Sequence, residues 1–305
     1  MVSADTDFTT ADHSLTLRDG RKLGYCDLGD PEGTPLFYAH GMPGSRLEGW
    51  FFHHQARDNG FRIIAPDRPG IGTSDFMAGR VLLDYPADLT QLADALDIDR
   101  FAHFGWSSGG SRTLACARMM PERVRLAICL SGYTNFAEYP GSQSLLPATR
   151  WPGPQLARLS PRLLRMVVEV VGWFSRRHPG IYLRNARSMV SDEDRQILQS
   201  LIADRLFQAD QQVCLASGGR AIAADLLTEL VDWGFVLRDV RVPVWIYQGG
   251  QDPFVPVDYA KHLSESLPDE DYRLLPESGL LYPLSAEVQK GLFNRLRPVL
   301  DSGRG

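Results

Sequence analysis

Cysteine is scarce and poorly placed for cross-linking. Cys26, Cys116, Cys129 and Cys214 lie far apart in 305 residues, and no CxxC or Cys/His ligand spacing occurs. A disulfide framework and a zinc-type site are thereby excluded, and reduced core thiols with no bound metal are expected. A positive excess is missing too. The net charge is -5 and the pI about 5.8, so the global field of a nucleic-acid binder is absent. Arginines do gather at 158–187, but they alternate with apolar residues and read as a solvated helix face. No apolar run is long enough to cross a bilayer: "RMVVEVVGWF" has about half the needed length and contains Glu169. The opening "MVSADTDFTTADHS" has neither the basic start nor the apolar core of a targeting signal. A cytoplasmic protein without a membrane partner is the expectation. Low-complexity tracts and internal repeats are absent, and oligomeric state is not legible.

What is present describes a soluble globular chain, 44% hydrophobic and 23% charged, with enough residues for a sizeable core. "LTLRDG" and "RKLGYCDLG" form a hairpin pair about Asp19-Gly20. "PLFYAHG", "FRIIAPD", "RFAHFGW" and "VRLAICLSG" are short continuous apolar runs, suited to parallel strands buried on both faces. Helical patterns separate the last two pairs. One carries Tyr85, Leu89, Leu92, Ala93 and Leu96 behind Asp84 as N-cap; another follows Ser108 and ends at Pro121. This alternation predicts an α/β protein with a doubly wound, mostly parallel sheet.

Between about 133 and 235 the pattern turns helical. One helix is expected from Ser160 and Pro161, one long helix from Ser191 to about 217, and a third over 218–233. The chain therefore divides into a core, 1–132 and 236–305, and a helical insertion, 133–235. Strand "VPVWIYQGG", a helix at 257–266, strand "YRLLPE" and a helix at 285–300 complete the core.

Four stretches carry the chemistry. Gly105-Trp106-Ser107-Ser108-Gly109 fits G-x-S-x-G between a strand and a helix, where a strained turn presents a serine and the helix N-terminus favours negative charge. "YAHGMPGSR" (38–46) ends another strand. Its Met42 N–H, with that of Ser108, would make a two-donor oxyanion hole, and His40 is read as holding the loop by a hydrogen bond. "PDRPGIGTSD" (66–75) has Gly70 and Gly72 but no third glycine, and no Walker-type lysine occurs in the chain. A turn-rich loop beside the pocket is expected, and no dinucleotide cofactor. In "YQGGQDPFVP" (247–256), Asp252 stands just past a buried strand, at the sheet edge where such folds hold ligands.

Taken together, these stretches resemble the α/β-hydrolase superfamily over about residues 14–300. The resemblance implies an eight-stranded core with helices on both faces and a helical cap inserted after strand six. It also implies Ser107 as nucleophile, Asp252 as the acid and a histidine on the loop after the last strand, in a P-x-x-G-H frame. That loop reads Pro276-Glu277-Ser278-Gly279-Leu280, so leucine occupies the base position.

Leucine has no lone pair with which to activate a serine. The seven histidines are His13, His40, His53, His54, His103, His178 and His262; none follows 262. Three explanations stand open. Residue 280 is a replacement of a parental histidine, or the protein binds a ligand without turning it over, or the cavity serves a lyase or cyclisation step. The ligand expected is an apolar small molecule bearing an ester or related acyl bond. His40, Gly41 and Trp106 would line its pocket, with Trp151, Met166, Trp173 and Phe174 contributed by the insertion or merely packing it down.

Overall fold

The computed structural model describes residues 8–146, 156, 159–178, 190–202 and 205–301. The apolar runs become one eight-stranded sheet: β1 (Asp12–Thr16), β2 (Lys22–Gly29), β3 (Thr34–Ala39), β4 (Phe61–Pro66), β5 (Phe101–Trp106), β6 (Val124–Leu130), β7 (Val244–Gly249) and β8 (Glu270–Leu275). Their spatial order is β1-β2-β4-β3-β5-β6-β7-β8. β1 and β2 form the expected antiparallel hairpin, with Gly20 at φ 86 in its turn, and β2 also runs antiparallel to β4. From β4 through β8 every neighbouring pair is parallel. β5 and β7 are buried along their whole length, as strands covered on both faces require.

Helices α1 (His53–Asp58), α2 (Asp84–Ala95), α3 (Gly109–Met119), α8 (Val257–Ser266) and α9 (Ala286–Asp301) flank the sheet. Two large apolar clusters lie against it. One gathers Phe37, Leu92, Leu114, Val244 and Tyr259; the other gathers Phe52, Ile63, Phe104, Ile128 and Phe293. The four cysteines are buried and free, as expected, and burial pushes the Cys129 thiol up to about 12. Asp84 departs from expectation. Leu83 is the N-cap, and Asp84 opens α2 with its side chain accepting from the Val81 N–H at 2.7 Å. A carboxylate in the first turn still faces the positive end of the helix.

Between β6 and β7 the described residues contain helices and no strand: α4 (Pro161–Arg177), α5 (Asp192–Ile202), α6 (Arg205–Ala216) and α7 (Gly218–Leu230). Ser160 caps α4 by accepting from the Leu163 N–H, as its sequence predicts. Of the long helix expected from Ser191, α5 and α6 are described, and residues 203–204 between them lie outside the described residues. Each helix is tied to a different core loop by a buried aspartate, Asp194 to Leu280 and Leu281, and Asp210 to Ser45. Met166 and Trp173 are 58% and 60% exposed, so among the described residues they do not pack the insertion down, and Phe174 is exposed beside them. Trp151 lies outside the described residues.

Candidate active site

Ser107 follows β5 with φ 52, a left-handed backbone that a non-glycine residue adopts at a cost of about 1–2 kcal/mol. Its N–H donates to the Leu130 carbonyl at 2.8 Å, and its carbonyl accepts from Gly110 at 2.9 Å. The glycines of the motif are steric necessities. A Cβ on Gly105 would stand 2.3 Å from the Gly109 carbonyl oxygen, and one on Gly109 would stand 2.0 Å from that of Ala39. Across 101–110 every residue is buried except Ser107. The turn therefore presents one side chain at the N-terminus of α3.

The loop 40–45 is bound from beneath. His40 Nδ1 lies 2.9 Å from the Gly41 carbonyl oxygen, and Nε2 accepts from the Arg68 N–H at 3.3 Å. This pairing assigns the proton to Nδ1 of a neutral ring. Burial, helped by the Arg68 charge, holds His40 well below its ordinary pKa. Both ring nitrogens of His40 are thus engaged within the protein. Arg68 also donates to the His40 carbonyl and, at 2.9 Å, to that of Gly41. Gly41 C=O and Met42 N–H are two ends of one peptide, so this bond polarises the amide expected to meet an oxyanion.

Two buried acids complete the loop's support. Glu48 accepts from the Gly41 N–H and the Tyr38 hydroxyl, both at 2.7 Å. Asp210 reaches down from α6 to the Ser45 N–H at 2.8 Å and its hydroxyl at 2.6 Å. Burial raises Glu48 to about 7. Asp210 is raised well above the carboxylate range by burial and by the nearby Glu48.

Beneath Ser108 lies an ionic cluster that the motifs do not announce. The Ser108 hydroxyl donates to Glu229 of α7, and Arg112 donates to Glu229 and, at 3.1 Å, to the Ser108 carbonyl. Asp225 is 3.1 Å from both Arg80 and Arg112. Arg68 Nε stands 2.8 Å from it, out of line for a hydrogen bond. All five side chains are almost fully buried. Burial opposes the charge on Asp225, but the three arginines win and hold its carboxyl well below the usual range. The hydroxyl of Ser108 is thus turned into the protein and occupied. The sequence signal was present, as charges inside apolar helices: Arg112 in α3, and Asp225 and Glu229 one turn apart in α7.

On the other side of the elbow, Asp252 Oδ1 accepts from the N–H groups of Phe254 and Val255, each at 2.9 Å. Burial nevertheless raises the carboxyl to about 7. Ser131 follows β6, the strand between those leading to Ser107 and Asp252. Buried and at φ 48, it is a second strained serine that the motifs missed.

Leu280 is stitched between the elbow and the acid loop. Trp106 Nε1 donates to the Leu280 carbonyl at 3.0 Å. The Gln251 N–H donates to Ser278 at 2.8 Å, and a Cβ on Gly249 would stand 2.0 Å from the Gly279 carbonyl oxygen. Asp194, buried, accepts from the Leu280 and Leu281 N–H groups at 2.8 and 2.9 Å. The Leu280 side chain packs against both large apolar clusters. Trp106 is itself buried, with its indole turned to this loop rather than spread open beside the nucleophile.

The other described histidines are engaged elsewhere. His103 lies 2.9 Å from the Thr113 hydroxyl inside the core, where burial lowers it to about 3. His262 lies 2.7 Å from the Thr134 hydroxyl and stacks on Tyr139. His53 accepts from the Gly29 N–H with its ring against His54, and His13 stacks on Tyr25. His178 stands exposed at the end of α4. None of these contacts involves Ser107 or Asp252. Among the described residues, no group of three or more His, Cys, Asp or Glu side chains is arranged to hold a metal ion.

Comparison with known proteins agrees with this architecture. Residues 34–279 match the model of the alpha/beta hydrolase fold family, and the chain belongs to that family. It is 25% identical over 289 residues to a 2-hydroxy-6-oxononadienedioate/2-hydroxy-6-oxononatrienedioate hydrolase of Burkholderia vietnamiensis, covering 90% of each chain. Over 126 residues it is 36% identical to a non-heme chloroperoxidase of Streptomyces lividans, a match spanning 39% of this chain and 44% of that protein. A thermophilic esterase from Thermogutta terrifontis shares the fold with a TM-score of 0.67 at 21% identity, covering 94% of this chain and 98% of that one.

Proposed function

We propose that this chain is a serine-type acyl hydrolase whose proton-accepting position is filled by an aliphatic residue. Ser107 is the nucleophile, the Met42 and Ser108 N–H groups receive the oxyanion, Asp252 is the acid, and Leu280 stands where the base belongs. The substrate is an apolar small molecule with an ester or related acyl bond. The observation that carries this reading is the lodging of Leu280, held by Trp106 on the elbow side and by Asp194 from α5. That lodging would suit an imidazole whose inner nitrogen meets Asp252. The hydrolase relatives support the acyl chemistry.

With leucine there, the Ser107 proton has only water to receive it. Loss of a triad histidine lowers turnover by on the order of 10⁶, while oxyanion hole and binding retain about 10³–10⁴ over water. A second reading, ligand binding or a lyase or cyclase step, is favoured by one observation. Asp252, raised to about 7, is poised to carry a proton at neutral pH without a histidine. A fluorophosphonate probe followed by peptide mapping separates the two. Leu280→His labels rapidly at Ser107 and the leucine protein slowly; rapid labelling of neither removes Ser107 from the chemistry.

A further inference from the structure

Helix α4 is apolar on both faces. Leu164 and Val168 are buried against Cys214, Ala221 and Ile222, which accounts for the inner one. A surface helix is ordinarily polar on its outer face. Here Met166, Val170 and Trp173 are exposed, Val170 by 60%, with Leu163 half-buried among them. Steps of three, four and three residues from Leu163 to Trp173 place them on one stripe along the helix. Phe174 lies beside it, and Leu159, 77% exposed, stands just ahead of it. The border is basic. Arg162 and Arg165 are exposed along one edge and Arg177 at the far end, against one exposed acid, Glu169, among the described side chains. This in a chain of net charge -5.

We propose that this stripe docks on the surface of an anionic lipid bilayer, with α4 lying along the headgroup boundary. Apolar and aromatic side chains enter the boundary region while arginines meet lipid phosphates and carboxylates. The helix lies on the membrane rather than through it. It has 17 residues, and among the described residues no helix is long and apolar enough to cross. Charge favours lipid over a second copy of the chain. In a two-fold pair the two sets of arginines share one interface with only Glu169 from each copy to offset them, whereas an anionic surface complements all of them. A lone apolar stripe of this size on a soluble surface otherwise marks an unmet partner. The same insertion carries Asp194 and Asp210, which hold the Leu280 loop and the Ser45 loop, so docking would bring the candidate site to a source of apolar ligands.

Flotation of the full chain with vesicles tests this. The protein should float with phosphatidylcholine vesicles containing phosphatidylserine, far less with phosphatidylcholine alone, and less again as salt is raised. Val170→Glu/Trp173→Glu should lower the bound fraction on the order of tenfold or more. Arg162→Gln/Arg165→Gln should weaken binding to the anionic vesicles only. All four positions are exposed, and unchanged circular dichroism confirms that the variants fold. Failure to float with anionic vesicles overturns the proposal, as does equal binding to both vesicle types or undiminished binding of the Glu variant. A dimer by light scattering that the Glu variant splits, without vesicle binding, assigns the stripe to a second copy instead.

Discussion

The Asp252 carboxyl accepts from the Phe254 and Val255 N–H groups with one oxygen, has the Gln248 side-chain amide 3.5 Å from the other, and lies near the Ser131 hydroxyl. Burial makes its charged form costly, and the nearby Asp194 adds to that cost. Replacement by asparagine keeps an oxygen for the Phe254 and Val255 N–H groups and removes the charge. Asp252→Asn should therefore raise stability at pH 8 by about 1–3 kcal/mol, with the gain vanishing near pH 5, where the carboxyl already holds its proton. Urea unfolding at the two pH values measures this; an equal effect at both would place the carboxyl in solvent. The Pro-Glu-Ser-Gly frame before position 280 was legible in the sequence. What holds that position was not. Asp194 is 86 residues away, and no local pattern ties the first turn of α5 to a loop after β8.

Among the described helices of the insertion, α7 is joined to the core by buried ion pairs. Its Asp225 and Glu229 meet Arg68, Arg80 and Arg112 out of reach of water. Removing one partner from such a cluster leaves a buried charge exposed to the low-dielectric interior. Arg112→Met should cost about 3–5 kcal/mol in denaturant unfolding. Arg57→Ala, which breaks only the exposed pair with Asp58, should produce no measurable change. Equal effects would mean the cluster is solvated. The helices of the insertion were legible individually from caps and periodicity, as Ser160 shows. Their placement was not, because it depends on charged side chains reaching across the sheet edge: Asp210 to Ser45, Asp225 to Arg68. A charge inside an apolar helix, such as Asp225, signals a buried partner but does not say which one.

At the scale of the whole molecule, alternation of apolar runs with helical patterns was enough to predict the sheet, since parallel strands covered on both faces leave few other sequences. The four motifs fell at strand ends in the expected order for the same reason. The buried acids also set a global property. Asp252 and Glu48, both raised to about 7, bind more protons folded than unfolded between pH 4 and 7. Their stabilising contribution is complete below pH 4 and is lost as pH rises through 7; Asp225, held low, acts in the opposite sense only below pH 4. Buried His40 and His103, held low, act in the opposite sense below about pH 6.5, so the test is a difference between two proteins. The melting temperature of Glu48→Gln relative to the parent should rise from pH 5 to pH 8; a difference that stays constant over this range would contradict the assignment. The central claim is that sheet and loops bring position 280 to the proton of Ser107. Its most direct test is kcat/KM on a short p-nitrophenyl ester for the leucine protein, Leu280→His and Leu280→His/Ser107→Ala. The account predicts a gain of about 10³-fold or more on restoring histidine, abolished by the alanine. No gain from a folded Leu280→His protein, or a gain that survives loss of Ser107, would contradict it.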